Sequence, residues 1–126
     1  MINHKYNNNN NSGTQKKKVL NVLSEIEETA KKNSLPSIGP LKGEIIGDII
    51  RKYKLKRILE IGTLHGYSAI LMANFLLKVN KDDGNDNDNT NTETIITCLE
   101  IDQQLANIAK KNIEKAGLSD RIEVIT

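Results

Sequence analysis

The stretch that decides the fold runs LEIGTLHGYS, from Leu59 to Ser68. Residues 57–62 are a short β-prone run that stops at a glycine, and residues 67–78 are apolar nearly all round, which predicts a mostly buried helix. Gly62 lets the backbone approach a ligand closely, and the free N–H groups at the start of the helix favour an anionic group. The carboxylate of an amino-acid-like ligand suits such a turn, and Ser68 adds a hydroxyl donor.

The flanking sequence supplies further strands and helices. Residues 94–100 and 121–125 predict strands, and Asp102 predicts the N-cap of a helix between them. Upstream, an apolar stripe predicts a helix over residues 17–32, and Gly39-Pro40 opens a second helix. The order strand–helix–strand–helix–strand implies an α/β fold with a parallel sheet and right-handed crossovers.

Two polar segments lack the apolar side chains that would offset the entropy of ordering. Residues 1–18 are rich in Asn and Lys, and residues 80–93 are almost entirely Asn, Asp, Thr, Lys and Gly. We therefore expect a disordered tail over 1–18, a folded domain over 19–126, and a disordered or loosely held low-complexity insert at 80–93.

Composition argues against several partners. The formal net charge is +2, and three lysines at 16–18 in a tail are more often solvated than bound to nucleic acid or an anionic membrane. Cys98 is the only cysteine, so no internal disulfide forms and a reducing compartment is expected. No apolar stretch reaches the ~18 residues that span a bilayer. These features predict a cytoplasmic protein that does not enter a membrane.

The glycine turn is open to two other interpretations. A dinucleotide-binding loop normally has the pattern G-x-G-x-x-G, but Leu64 occupies the place of the second glycine, where a pyrophosphate needs close backbone approach. The dinucleotide interpretation is therefore rejected. A strand–helix turn that binds nothing remains open from the turn alone.

Glu100 favours a ligand. It follows the second predicted strand at the end where open α/β sheets bind ligands, and an acidic side chain there can accept hydrogen bonds from both hydroxyls of a ribose. Its separation from Gly62 exceeds the ~20 residues of a compact unit, and the insert at 80–93 accounts for much of the excess because surface loops lengthen at small entropic cost. A solvated glutamate at a strand end is the alternative. Together the turn and Glu100 describe a pocket for a nucleoside joined to an amino acid, which is the chemistry of S-adenosylmethionine (SAM).

Four segments carry a resemblance to a known family: IGPLKG at 38–43, ILEIGTLHGYSA at 58–69, LEID at 99–102 and AGLSDRI at 116–122. They resemble the cation-dependent O-methyltransferases, which include catechol O-methyltransferase, the caffeoyl-CoA enzymes and bacterial relatives that act on hydroxyuridine in tRNA. The resemblance implies SAM-dependent methyl transfer to a hydroxyl of a small catechol-like or related acceptor. It also implies a truncated methyltransferase fold, Rossmann-like, with three parallel strands and flanking helices.

The resemblance further implies roles for individual residues in SAM binding. The expected cofactor-binding residues are Ile38, Glu60, Gly62, Gly66, Tyr67, Ser68, Glu100 and Ile101. The Ser68 hydroxyl and a backbone N–H near Ile38 would meet the SAM carboxylate, and Glu60 would face its amino group. Glu100 would hold the ribose, and Ile101 would pack on the adenine.

The same resemblance implies that the metal ligands and the catalytic lysine follow Thr126. We therefore expect no catalytic residue and no metal ligand in this chain, although the complete family enzyme would use a divalent cation such as Mg²⁺. His65 falls at a variable position of the turn and receives no role. The aspartates at 82, 83, 86 and 88 lie in a polar loop that is poorly suited to hold a cation.

The family strand order 3-2-1-4-5-7-6 implies that this chain supplies strands three, two and one. The first strand would then have an open hydrogen-bonding edge, so we expect marginal stability or self-association through that edge. Two alternatives to an enzyme remain, a non-catalytic SAM-binding or interaction module and a fragment of a longer enzyme. The sequence does not decide the acceptor, with a tRNA substrate still open, or whether the truncation is biological.

Overall fold

The chain, in a computed structural model that describes residues 9–82 and 93–126, forms helices and strands in an alternating order after two initial helices. In chain order they are α1 Asn9–Asn33, α2 Gly39–Tyr53, β1 Ile58–Ile61, α3 Tyr67–Asp82, β2 Ile96–Leu99, α4 Gln103–Lys115 and β3 Ile122–Ile125.

The three strands form one parallel sheet in the order β1-β2-β3. Ile58 pairs with Ile96 and Ile61 pairs with Leu99, so the carboxyl ends of β1 and β2 lie side by side. Ile125 continues this row on β3 opposite Leu99. The predicted α/β fold with three parallel strands and flanking helices is confirmed.

The two faces of the sheet differ sharply in exposure because side chains alternate along each strand. One face carries the buried side chains of Ile96, Cys98 and Val124 and is covered by helices. The other face carries Leu59 and Ile61, which are 62% and 73% exposed. The helices of the described chain therefore leave one apolar face of the sheet open to solvent.

Helix α3 forms the centre of the packing. Its apolar residues are buried on several sides because α3 packs against β2 and β3 and also against α1 and α2. The contact with α2 is close: a Cβ added at Gly43 or Gly47 would lie 2.6 Å from Leu71 Cδ2 or 2.5 Å from Phe75 Cζ. Glycines on α2 thus allow the two helix backbones to approach.

Helices α4 and α2 each begin at residues whose chemistry favours a helix N-terminus. The Asp102 side chain accepts hydrogen bonds from the backbone N–H groups of Gln104 and Leu105 at 2.8 and 3.0 Å, which confirms it as the N-cap of α4. Pro40 lies in the first turn of α2, where its missing N–H costs no hydrogen bond.

Helix α1 begins earlier than the sequence indicated. It starts at Asn9, ahead of the expected start at residue 17, so residues 9–18 are helical where a disordered tail was predicted. A long-range contact accompanies this early start, because Gln15 Nε2 donates to the carbonyl of Ala116 at 2.5 Å and ties this part of α1 to the end of α4. Residues 1–8 of the predicted tail and residues 83–92 of the predicted insert lie outside the described residues.

Candidate functional site

The turn between β1 and α3 needs backbone conformations that favour glycine. Gly62 has φ of 78° and Gly66 has φ of 84°, both in the left-handed region. A Cβ at Gly62 would meet nothing within 4 Å, so this position opens onto free space. Gly66 differs, because a Cβ there would lie 3.5 Å from Ala109 of α4. The turn at Gly66 therefore lies in contact with α4, whereas Gly62 leaves room for a ligand.

Glu100 holds this turn in place. Its Oε2 accepts hydrogen bonds from the backbone N–H groups of Thr63 at 3.1 Å and Leu64 at 3.0 Å. Its Oε1 accepts from the N–H of Asp102 at 3.1 Å. The residue is only 7% exposed, and these N–H groups, that of Asp102 first, lower the pKa of the Glu100 carboxyl. Leu64 lies in the left-handed region with φ of 51°, so Glu100 stabilises an uncommon conformation.

A small polar cluster lies beneath the turn. The Ser68 hydroxyl donates to Glu60 Oε2. Glu60 Oε1 and the hydroxyl of Thr63 are buried without a hydrogen-bond partner among the described residues, although the Cys98 thiol lies beside both side chains. Burial, followed by the charge of Glu60, raises the pKa of Cys98 to about 12, so the thiol stays protonated. This cluster places polar atoms next to the glycine turn in an otherwise apolar layer.

A first cavity of about 490 Å³ opens beside the turn. Its walls come from α1, from the segment that leads into α2, from the turn itself and from the start of α4. The lining residues are Ile26, Ala30, Pro36, Ser37, Ile38, Lys42, Gly62, Thr63, Leu64, His65, Tyr67, Ser68, Glu100 and Leu105. Apolar side chains therefore surround a few polar groups, which is the usual composition of a small-molecule site.

A hydrogen bond joins helix α1 to Tyr67, which lines the first cavity. The Tyr67 hydroxyl donates to Glu27 Oε1 at 2.6 Å. Burial of the phenol, together with this contact, raises the pKa of Tyr67. Since Ile26 and Ala30 lie on the same helix, the bond fixes α1 as a wall of the cavity.

A second cavity of about 480 Å³ lies at the carboxyl ends of the strands. Its lining residues are Ile61, Gly62, Leu99, Glu100, Ile101, Ile125 and Thr126. Gly62 and Glu100 line both cavities, so the two spaces meet at these residues. Ile101 is 97% exposed and presents an apolar side chain at this second space.

The structure brings together most of the residues that the sequence singled out. The first cavity is lined by Ile38, Gly62, Tyr67, Ser68 and Glu100. The second cavity is lined by Ile101, together with Gly62 and Glu100. Glu60 and Gly66 line neither cavity, because Glu60 points into the polar cluster and Gly66 packs on α4.

Sequence reasoning missed several residues of the first cavity. Thr63 lines it with a buried hydroxyl and is 2% exposed. His65 also lines it, although we assigned this residue no role from the sequence. Lys42 and the α1 residue Ile26 had no local signal in the sequence, because only the packing of α1 and α2 brings them to the turn.

The described residues form neither a cluster of metal ligands nor a membrane-spanning helix. Over residues 9–82 and 93–126 no group of three or more His, Cys, Asp or Glu side chains is arranged to hold a metal ion. The aspartates at 83, 86 and 88 lie outside these ranges. Within the same part of the chain no helix combines the length and apolar character needed to cross a membrane.

Comparison with known proteins gives a consistent family. Residues 10–126 match the O-methyltransferase family. A catechol O-methyltransferase from Niastella koreensis is 36% identical over 90 residues, which cover 71% of this chain and 34% of that protein. A caffeoyl-CoA O-methyltransferase from Stellaria longipes is 27% identical over 105 residues, which cover 82% of this chain and 38% of that protein. The chain thus spans little more than a third of the length of these curated relatives.

Solved structures agree with this match. An O-methyltransferase from Bacillus cereus in complex with SAH superimposes with a TM-score of 0.63 at 31% identity, over 84% of this chain and 43% of that chain. An O-methyltransferase from Streptomyces achromogenes in complex with SAM gives a TM-score of 0.60 at 24% identity, over 82% of this chain and 41% of that chain. The second likeness concerns the fold alone. The match across residues 10–126, on the fold expected for it, shows that this chain belongs to the O-methyltransferase family.

Proposed function

We propose that this chain forms the SAM-binding part of an O-methyltransferase, with SAM lying across the two cavities that meet at Gly62 and Glu100. The amino-acid end of SAM occupies the first cavity, and the adenosine end reaches the second. The observation that carries the proposal is the shared boundary. SAM is a nucleoside joined to an amino acid, so it needs two compartments in contact.

The first cavity suits the amino-acid end. Helix α3 begins at Tyr67, and the N–H groups of its first turn have no partner within the helix, so they can donate to a carboxylate. Lys42 adds a positive charge to the wall, and Ser37 adds a hydroxyl. Glu60, which the Ser68 hydroxyl connects to the cavity wall, is the acceptor that we propose for the ammonium group, through a water molecule.

The second cavity suits the adenosine. Glu100 lies at the boundary with an ionised carboxylate, because backbone N–H groups lower its pKa. An ionised carboxylate is a strong acceptor for a ribose hydroxyl. The exposed side chain of Ile101 offers an apolar surface for the adenine.

The proposed reaction transfers a methyl group to a hydroxyl of a small acceptor, and the names of the curated relatives support this acceptor class. Bound SAM would supply the electrophilic methyl group. The residues of this chain bind and orient it, and the walls from α1 shield it from water. A divalent cation belongs to the reaction that the resemblance implies, but the described residues offer no cluster for it and we assign it no step. A cytoplasmic location completes the proposal, supported by the free thiol of Cys98.

Calorimetric titration with SAM and with its demethylated product SAH (S-adenosylhomocysteine) tests the cofactor site. We expect saturable binding, and we expect Glu100→Ala to weaken it by about 10- to 100-fold through loss of charge-assisted hydrogen bonds. Glu123→Ala is the matched control, because Glu123 is an exposed glutamate on β3 away from the cavities. Equal affinity of the two variants, with circular dichroism unchanged, would refute the site.

A second assay separates an enzyme from a binding module. The purified chain is mixed with SAM, Mg²⁺ and a catechol, and methylated product is measured by mass spectrometry. Product formation identifies this chain as sufficient for transfer. Binding of SAM without product identifies a SAM-binding module, or a part that acts with further polypeptide.

A further inference from the structure

A third cavity, of about 450 Å³, lies at the opposite end of the sheet from the proposed SAM site. Arg121 lines it directly before β3 begins, and Lys78 and Lys81 line it near the end of α3. Helix α3 begins after the carboxyl end of β1 and ends before β2, so its last turns lie towards the amino ends of the strands. The third cavity shares no lining residue with the first two, and it is therefore a separate space.

Positive charge is concentrated in this third cavity. Among the described residues, its lining includes four cationic side chains and one acidic side chain: Lys16, Lys78, Lys81, Arg121 and Asp120. The three lysines are exposed, and no hydrogen-bond or ion-pair partner is found for their ammonium groups within the described part of the chain. Like charges from α1, α3 and the start of β3 converge on one concave surface, so an anion bound there would relieve their mutual repulsion.

The neighbouring backbone and the arginine leave this charge available to a ligand. Carbonyl groups at the end of a helix repel anions, but those of Ala116 and Gly117 accept hydrogen bonds from Gln15 Nε2 at 2.5 and 3.2 Å. Arg121 Nη1 donates to the carbonyl of Glu93 at 3.3 Å. Because a guanidinium carries five N–H donors, this bond positions the group and leaves most of its donors for a ligand.

We propose that the third cavity binds the di- or triphosphate group of a small molecule. A single phosphate monoester carries about 1.5 to 2 negative charges at pH 7, which is fewer than the cations that line the cavity. A chain of two or three phosphates matches that charge and offers several strong acceptors to ammonium and guanidinium donors. The inference is independent of the proposed SAM site, since it concerns a different part of the molecule.

The lining favours a small ligand over a nucleic acid. Proteins that bind single strands place aromatic side chains where the bases can stack, and none of the described residues that line the third cavity is aromatic. The remaining lining includes Asn74, Leu77 and Leu118, which add an amide and a small apolar surface beside the charges. The cavity is thus built for a compact anion.

Calorimetric titration of the full chain with sodium tripolyphosphate, at pH 7 in 0.15 M NaCl without divalent cations, tests the proposal. We expect saturable binding at one site, weakened about tenfold or more in the double variant Lys78→Gln/Lys81→Gln through loss of charged hydrogen bonds. Adenosine triphosphate in the same titration separates the two sources of the ligand. A nucleotide ligand predicts tighter binding than tripolyphosphate, and a free polyphosphate predicts binding no tighter.

A matched control removes the same amount of charge elsewhere. Lys110 and Lys111 are exposed on α4 and line none of the three cavities, so Lys110→Gln/Lys111→Gln should change the affinity by less than about twofold. Lys42→Gln removes the lysine of the first cavity and should likewise leave tripolyphosphate binding in place. Circular dichroism checks that each variant is folded; because all of the substituted lysines are exposed, we expect unchanged spectra.

Several results would overturn the proposal. Absence of saturable tripolyphosphate binding would show that the cations are only solvated. Equal weakening in the Lys110→Gln/Lys111→Gln variant would show that binding follows net charge alone, and loss of binding in Lys42→Gln would assign the anion to the first cavity. Inorganic phosphate or citrate binding as tightly as tripolyphosphate would reject the di- or triphosphate class. A single-stranded oligonucleotide that binds while tripolyphosphate does not would indicate a nucleic-acid surface instead.

Discussion

Helix α2 lies so close to α3 that one added methyl group tests the packing between them. A Cβ at Gly47 would lie 2.5, 2.6 and 2.8 Å from Cζ, Cε1 and Cε2 of Phe75, whereas carbon atoms pack best at about 3.5–4.0 Å. Gly47→Ala therefore requires the ring or the whole helix to move by roughly 1 Å. Overpacking of this kind costs about 1–3 kcal/mol, and a helical alanine returns about 0.5–1 kcal/mol. We expect a net loss of up to about 2.5 kcal/mol in the free energy of unfolding.

Gly13→Ala is the matched control for this prediction. Gly13 also lies inside a helix, but a Cβ there would meet nothing within 4 Å. The same chemical change should therefore stabilise the protein by about 0.5–1 kcal/mol. Urea unfolding followed by circular dichroism measures both variants, and the slope of each transition checks that the unfolded states are comparable. If Gly47→Ala stabilised the chain as much as Gly13→Ala, the close approach of α2 and α3 would be wrong.

Three further predictions follow from the sheet and the turn. The open edge of β1, with Leu59 and Ile61 exposed beside it, should make the chain self-associate or lower its stability; a monomer by sedimentation with a cooperative thermal transition above ~50 °C would contradict this. The buried thiol of Cys98, with its raised pKa, should react with a thiol reagent only as the protein opens, and SAH should slow the reaction; labelling of the native chain at the rate of a free cysteine would be inconsistent with its burial. Because the pKa of Glu100 is below its ordinary value of 4.5, its contribution to stability is complete above that value and is lost as pH falls through the lowered pKa. The difference in free energy of unfolding between wild type and Glu100→Gln should accordingly shrink between about pH 7 and pH 3, and a constant difference would count against the three hydrogen bonds.

The sequence predicted those parts of the fold that depend on short-range signals. The strand that ends at Gly62, the helix that begins at Tyr67 and the N-cap at Asp102 each depend on residues within one or two turns. The parallel sheet followed from the order of these elements, because short crossovers leave few topologies open. The closeness of Gly62 and Glu100 also followed, since these residues come directly after neighbouring strands.

Other features depend on contacts between distant parts of the chain and had no local signal. The early turns of α1 contact the end of α4 through Gln15. Gly66, which the sequence assigned to the cofactor, also lies against Ala109 of α4, a contact that no local signal predicts. The three N–H groups on Glu100 require the left-handed backbone at Leu64, a residue whose type does not predict that conformation.

The bond between Tyr67 and Glu27 has a practical consequence for anyone who prepares this protein. Residues 7–11 are all asparagine, and a truncation that removes them and extends into α1 would take away a wall of the first cavity. A deletion that reached Ile26 would open the first cavity to bulk water and remove core residues of α1, although the LEIGTLHGYS stretch would remain in the sequence. A loss of SAM affinity in such a shortened protein would then result from the missing cavity wall. It would not test the role of the glycine turn.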